Sequence, residues 1–180
     1  MTGMPFRKFW DLYLHTLNKN PLTTQIVQTG ALMGAGDVIA QKVLEKKSKF
    51  DTARCLRFVA LGSFMVAPTI RVWYLSMERL VGPSVPKIRA ALSKVALDQG
   101  CFAPTFNAVF LSVIGVCQGK NWEQVKEKLS REYRDVMLTN YTIWPPVQMI
   151  NFFFVPFLLR PLVVSIIALV WNTYLSFKSN

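Results

Sequence analysis

The sequence predicts an all-α fold, a polytopic integral membrane helical bundle of about four transmembrane helices with amphipathic interfacial helices beside them. Three observations predict it. Residues 136–159 are 24 consecutive uncharged residues, and 162–177 continue in the same apolar style; about 20 apolar residues of helix suffice to cross a hydrocarbon slab. Hydrophobic residues make up 52% of the chain at a mean hydropathy of +0.28, a middle value that fits spans diluted by polar loops and polar inward faces. The net charge of +11 sits beside the apolar runs, in one group at Lys42, Lys46, Lys47, Lys49, Arg54 and Arg57 and another at Arg79, Lys87, Arg89 and Lys94. Juxtamembrane cations meet anionic headgroups at about 1 kcal/mol each, so this placement points to a lipid surface and away from nucleic acid.

By length, 1–180 is a single membrane domain. Phe6, Phe9, Trp10, Tyr13, Leu14 and Leu17 recur at helical spacing, which predicts an amphipathic helix over 1–19 lying in the interface. No apolar run with a small-residue cleavage site follows, so targeting is expected to be internal. Asn20 is a candidate cap and Pro21 suits a first helical position. The first span then lies near 22–44. Gly30 and Gly34 give it a small-xxx-small face for close helix packing. Asp37 interrupts its apolar run, with Gln41 one turn on. An intramembrane carboxylate is either a functional group or half of an ion pair that holds the bundle together, and both readings stand at this stage.

Asp51 can cap a second span near 55–77, in which Pro68 should kink the helix and Arg71, Trp73 and Tyr74 mark an interface. Gly82-Pro83 stops it. A basic amphipathic turn over 87–94 leads to a third span near 95–118, entered through Asp98 and Gln99 at its mouth, with Thr105 on the Asp98 side. Pro104 frees a backbone carbonyl that a neighbouring helix or water must satisfy. Residues 120–135 read as a surface helix resting on the membrane, opened by Asn121 and Gln124 at capping-box spacing. The stretch 136–177 is too long for one upright span. It carries Trp144-Pro145-Pro146, Gln148, Asn151, Pro156, Arg160 and Pro161, and crosses either as two spans broken near 156–161 or as one kinked helix after a re-entrant turn at 141–146. Lys/Arg are split too evenly between the two sides to fix orientation.

No catalytic constellation is present: there is no G-x-S-x-G, no Walker loop, and Ile39 stands where a third dinucleotide-binding glycine would fall. An enzyme is not expected, nor a cofactor. Cys55, Cys101 and Cys117 have no metal-ligand spacing and His15 is the only histidine, so no metal site is expected. What remains is a set of polar groups on apolar helices: Asp37, Gln41, Asp98, Gln99, Gln148, Asn151 and Arg160. They either line a water-filled path for small ions or metabolites, or pair internally, for example Arg160 with Asp37 or Asp98, in a non-conducting assembly protein. A metabolite carrier is a third reading, without a visible internal repeat to support it. A wide pore would call for a homo-oligomer.

Several of these residues also carry a family resemblance. Asn140-Tyr141, Trp144-Pro145, Gln148, Asn151-Phe152, Val155-Pro156, Arg160, Trp171-Asn172 and Tyr174-Leu175-Ser176 resemble the C-terminal signature of the Mpv-seventeen / peroxisomal membrane protein family. Gly36-Asp37 with Gln41, Asp51 with Arg54, Pro68, Trp73-Tyr74, and Leu97-Asp98-Gln99 with Pro104 agree. Residues 30–41 and 138–144 are most similar to the namesake branch, whereas Pro146 and Pro161 depart from the family pattern. The resemblance implies a weakly selective pore, with the mitochondrial inner membrane as its site and the peroxisomal membrane as the alternative. It also implies a tie to membrane potential, reactive-oxygen homeostasis and mitochondrial DNA upkeep, without direct nucleic-acid binding.

Overall fold

The structure, a computed structural model, describes residues 4–179, with side chains described from Asp11 onward except at 158, 161 and 162. The aromatic face expected from Phe6, Phe9 and Trp10 therefore lies outside the described side chains, as does Pro161. The chain runs through α1 (Met4–Lys19), α2 (Pro21–Ile39, prolonged by a π turn at Ala40–Leu44), α3 (Thr52–Val81), α4 (Lys87–Cys117), α5 (Trp122–Phe154) and α6 (Arg160–Ser179). Among the described residues there is no strand. Of the expected spans, α3 and α4 are long and apolar enough to cross a bilayer.

Local signals set most boundaries. Pro21 opens α2, but Asn20 offers no side-chain cap. Asp51 does cap α3, accepting from Arg54 N at 2.9 Å. Gly82 ends α3 at φ 64°, a left-handed conformation that glycine adopts without steric cost. Asn121 and Gln124 close a reciprocal capping box at the start of α5.

The helices accommodate their prolines through widened turns. Pro68 and Pro104 do not end or break their helices; each follows a π turn, Gly62–Val66 in α3 and Asp98–Phe102 in α4. A proline lacks its N–H and crowds the carbonyl four residues back. Widening that turn by a residue relieves both faults while the helix continues. The extra residue also rotates everything after it. Thr105, expected on the Asp98 face, points outward and bonds to Cys101 O at 2.9 Å, while Asn107 turns inward and is buried.

The last third also differs from the surface-helix reading. Residues 120–135 do not form a separate interfacial element; α5 continues unbroken through Pro145 and Pro146 to Phe154. Its Val125, Lys128, Glu132 and Val136 are buried against the bundle, with Val125 beside Gly115 of α4. There is no re-entrant turn at 141–146. The chain turns at residues 155–159 through a short 3-10 segment, Phe157–Leu159, and returns as α6.

Helix α2 is the central element because its glycines admit neighbours on two sides. A Cβ at Gly30 would meet Ser63 Oγ at 2.2 Å, and one at Gly62 would meet Gly30 Cα at 3.1 Å. On the other side, a Cβ at Gly36 would lie 2.9 Å from Asn172 Cβ and 3.0 Å from Thr173 N of α6. The apolar core follows: Met33, Phe58, Phe110, Leu111, Val136, Trp171 and Leu175 pack together, with Tyr74, Met77, Ala91, Phe152 and Val164 beside them.

Much of the outer surface is apolar. Val27, Leu56, Phe64, Val72, Val116, Ile150, Phe154, Ile166 and Val170 are exposed, Phe64 by 80%, while Asp37, Gln41 and Asn151 are 0% exposed. Water would penalise that arrangement and acyl chains would not.

Candidate functional site

The buried polar residues fall into separate groups with different geometry. One group lines a cavity of about 260 Å³ among α1, α2, α3, α4, α5 and α6. Asp98 and Gln99 reach it from the π turn of α4, Asn107 from α4, Asn140 and Gln148 from α5, and Asn172 from α6. Asp98 Oδ1 accepts from Trp73 Nε1 at 2.8 Å, and Oδ2 accepts from Gln99 Nε2 at 2.7 Å and Gln148 Nε2 at 3.1 Å. Asn140 Nδ2 donates to Gln99 Oε1 at 2.9 Å, and Asn107 Nδ2 to Asn140 Oδ1 at 3.3 Å. Gln148 also bonds to the Tyr74 hydroxyl and accepts from Asn151 Nδ2 at 3.2 Å. Tyr141 donates to Gln99 O at 3.0 Å, giving a carbonyl of the π turn a partner from another helix. Trp73 and Tyr74, expected at an interface, also pack against the bundle: Trp73 stacks on Phe102 at 4.8 Å and Tyr74 packs edge-on against Phe152. Trp144 meets Trp171 edge-on at 6.1 Å, and both line the cavity.

Asp37 and Gln41 belong to a second group that does not line the cavity. Asp37 Oδ1 lies 2.7 Å from Arg54 Nε, an ion-pair contact without an aligned hydrogen bond. It also accepts from Ser176 Oγ at 2.5 Å, while Oδ2 accepts from Gln41 Nε2 at 2.7 Å. Arg54 turns its other edge to Glu45 at 2.6 and 2.9 Å and reaches Ser176 O at 2.9 Å. Gln41 ties the following loop through Asp51 N at 2.7 Å and Asp51 O at 3.0 Å. Glu45, in the loop, is held below the usual carboxylate range, first by its hydrogen bond from Arg54. This group is a clasp joining α2, α3 and α6.

A third group corrects the expected pairing of Arg160. It meets neither Asp37 nor Asp98, but Glu78, which Lys94 also reaches at 2.7 Å. Arg160 completes its bonding with Val155 O and Phe152 O, the free carbonyls at the end of α5. Pro156 opens the turn that makes this reach available.

Sequence reasoning placed Arg54 and Lys94 at the lipid surface, and both are buried. The signal for Arg54 lay in the short 45–51 connection, which forces α3 to restart beside the end of α2. Asn107, Asn140 and Asn172 were not picked out as site residues; a π turn of unpredicted position decided the inward face of α4. Among the described residues no group of three or more His, Cys, Asp or Glu could hold a metal ion, and the three cysteines are free.

Comparison with known proteins agrees with this architecture. Residues 115–176 match the model of the Mpv17 / PMP22 family. The chain is 40% identical to the "Mitochondrial inner membrane protein Mpv17" of Xenopus laevis over 173 residues, 95% of this chain and 97% of that protein. It is 39% identical to the protein of the same name from Homo sapiens over the same shares. It is also 39% identical to "Protein sym-1" of Neurospora crassa, over 91% of this chain and 95% of that one. No solved structure matches. With apolar helices outside, polar groups inside and full-length similarity to proteins so named, the chain belongs to the Mpv17 / PMP22 family and is a multi-pass protein of the mitochondrial inner membrane.

Proposed function

We propose that the chain forms a non-selective or weakly selective channel that modulates the potential of this membrane, and through it supports mitochondrial homeostasis and mitochondrial DNA maintenance. The observation that carries the reading is the cavity of about 260 Å³ among helices, lined by Asp98, Gln99, Asn107, Asn140, Gln148 and Asn172. Polar side chains at membrane depth cost free energy unless they meet one another or water, and they mark solute paths. Helices α2, α3, α4, α5 and α6 would wall the path, with self-association widening it. No enzymatic step and no nucleic-acid contact is part of this proposal.

The test is conductance of purified protein in a planar bilayer. Asp98→Asn should change the cation/anion permeability ratio, whereas Asp37→Asn, which lies off the cavity, should leave the ratio alone. Absence of current from folded protein would refute the reading. The closed bonding of Asp37, Arg54, Glu45 and Ser176 favours, for that group, the alternative of a structural role without conduction.

A further inference from the structure

Asp98 is already engaged by the protein around it. Its two oxygens already accept from Trp73, Gln99 and Gln148. The donors behind them are spent in the same direction, Asn140 on Gln99 and Asn107 on Asn140. Two other residues lining the cavity differ. Arg71, on α3 about one turn before Tyr74, makes no ion pair or hydrogen bond among the described residues. Glu78 lies two turns further along α3, but Lys94 and Arg160 occupy it. Asn172 is only 6% exposed, and its carboxamide likewise has no hydrogen-bond partner among the described residues. The remaining wall is largely apolar, including Phe102, Phe106 and Val164.

An unpaired guanidinium on an apolar helix is stabilised only by water or a counter-charge, and a buried carboxamide without a partner loses the free energy of its missing bonds. Guanidinium matches oxyanions through paired N–H donors. We propose that this cavity binds a small oxyanion, a carboxylate or phosphate group, with Arg71 supplying the charge and Asn172 a hydrogen bond. The proposal deepens, and as a transport statement rests on, the reading of the cavity as a solute path. The volume of about 260 Å³ falls below the roughly 300–1,000 Å³ of sites for drug-sized ligands. It suits a short carboxylic acid or inorganic phosphate with a few waters. An anionic lipid headgroup carries the same chemistry and is the second source to be separated.

Purified protein in neutral detergent, titrated with succinate and with inorganic phosphate, should show a saturable change in tryptophan fluorescence, because Trp144 and Trp171 line the cavity. Arg71→Gln should weaken that binding tenfold or more, and Arg71→Lys should restore part of it. Melting temperature should stay level in both variants, since Arg71 loses no partner. In phosphatidylcholine nanodiscs, a response to added succinate or phosphate assigns the site to a soluble anion. A response only when phosphatidylglycerol is included assigns it to a headgroup, and either supports the site if Arg71→Gln abolishes it. Equal binding by Arg71→Gln, no saturable response to any of the three, or preferential binding of tetramethylammonium would overturn it. In a bilayer under a KCl gradient, the reversal potential should lean toward chloride and lose that lean in Arg71→Gln. A current whose reversal ignores Arg71 would overturn the anion site and leave the pore standing. Arg71-dependent binding without current would keep the site and remove the pore.

Discussion

Arg54→Met is the most informative single perturbation of the clasp. It removes a cation whose side chain is 2% exposed and leaves the Asp37 carboxylate, 0% exposed, with only Gln41 and Ser176 as donors. Breaking a buried pair by deleting one partner costs about 3–5 kcal/mol. For a chain of this length each kcal/mol is worth about 2–4 °C, so Tm should fall by roughly 6–20 °C. Asp37→Asn should cost less, because Arg54 keeps its two bonds to Glu45 at 2.6 and 2.9 Å. The double variant should lose less than the sum of the two, by about 0.5–3 kcal/mol, as expected of directly coupled sites. The assay is thermal unfolding in a mild detergent, followed by tryptophan fluorescence or helical circular dichroism. The exposed pair Lys178–Asp135, 31% and 55% exposed, is the control and should give no measurable shift. An Arg54→Met protein that melts with the parent, or strict additivity in the double variant, would refute the assignment of Arg54 as the partner of Asp37.

Gly36→Ala should destabilise by about 1–3 kcal/mol by overpacking, because the new Cβ meets Asn172 and the Thr173 backbone, which cannot give way. Gly34→Ala should also destabilise, since its Cβ would come 2.7 Å from Cγ2 of Val59, a β-branched side chain stiff at χ1, whereas Gly100→Ala, with nothing within 4 Å, should be neutral. Trp73→Phe keeps the stack on Phe102 but removes the donor to Asp98 Oδ1; a lowered Tm reflecting about 1–3 kcal/mol is expected for a buried acceptor left short. Glu45 has a lowered folded pKa, so its contribution is fully present above its usual carboxylate pKa and is lost as pH falls through the lower folded value. Glu45→Gln should therefore flatten the acid limb of a Tm-against-pH curve, and an unchanged limb would remove Glu45 from the clasp.

The helical class, the membrane setting and the inward placement of Asp37, Gln41, Asp98, Gln99, Gln148 and Asn151 were readable because each is a polar group in an apolar run, which has few places to go in lipid. The partners were not readable. Arg54 and Lys94 look like their headgroup-facing neighbours in sequence, and only the packing of α3 against α2 and α4 distinguishes them. Local rules named Asp51 and the Asn121–Gln124 box because capping depends on adjacent residues alone. Those rules do not locate the π turns before Pro68 and Pro104, which absorb the proline and shift the helical phase. Hence Thr105 faces outward and Asn107 inward, the reverse of an unbroken α-helical phase from Asp98.

The bond from Ser176 to Asp37 spans 139 positions of chain. Until the last helix docks, the half-built bundle must carry an acid whose final hydroxyl donor is out of reach. Biogenesis should therefore depend on a chaperone or insertase that shelters the half-built protein, and a chain cut before Ser176 should be cleared by quality control even though its other helices are intact.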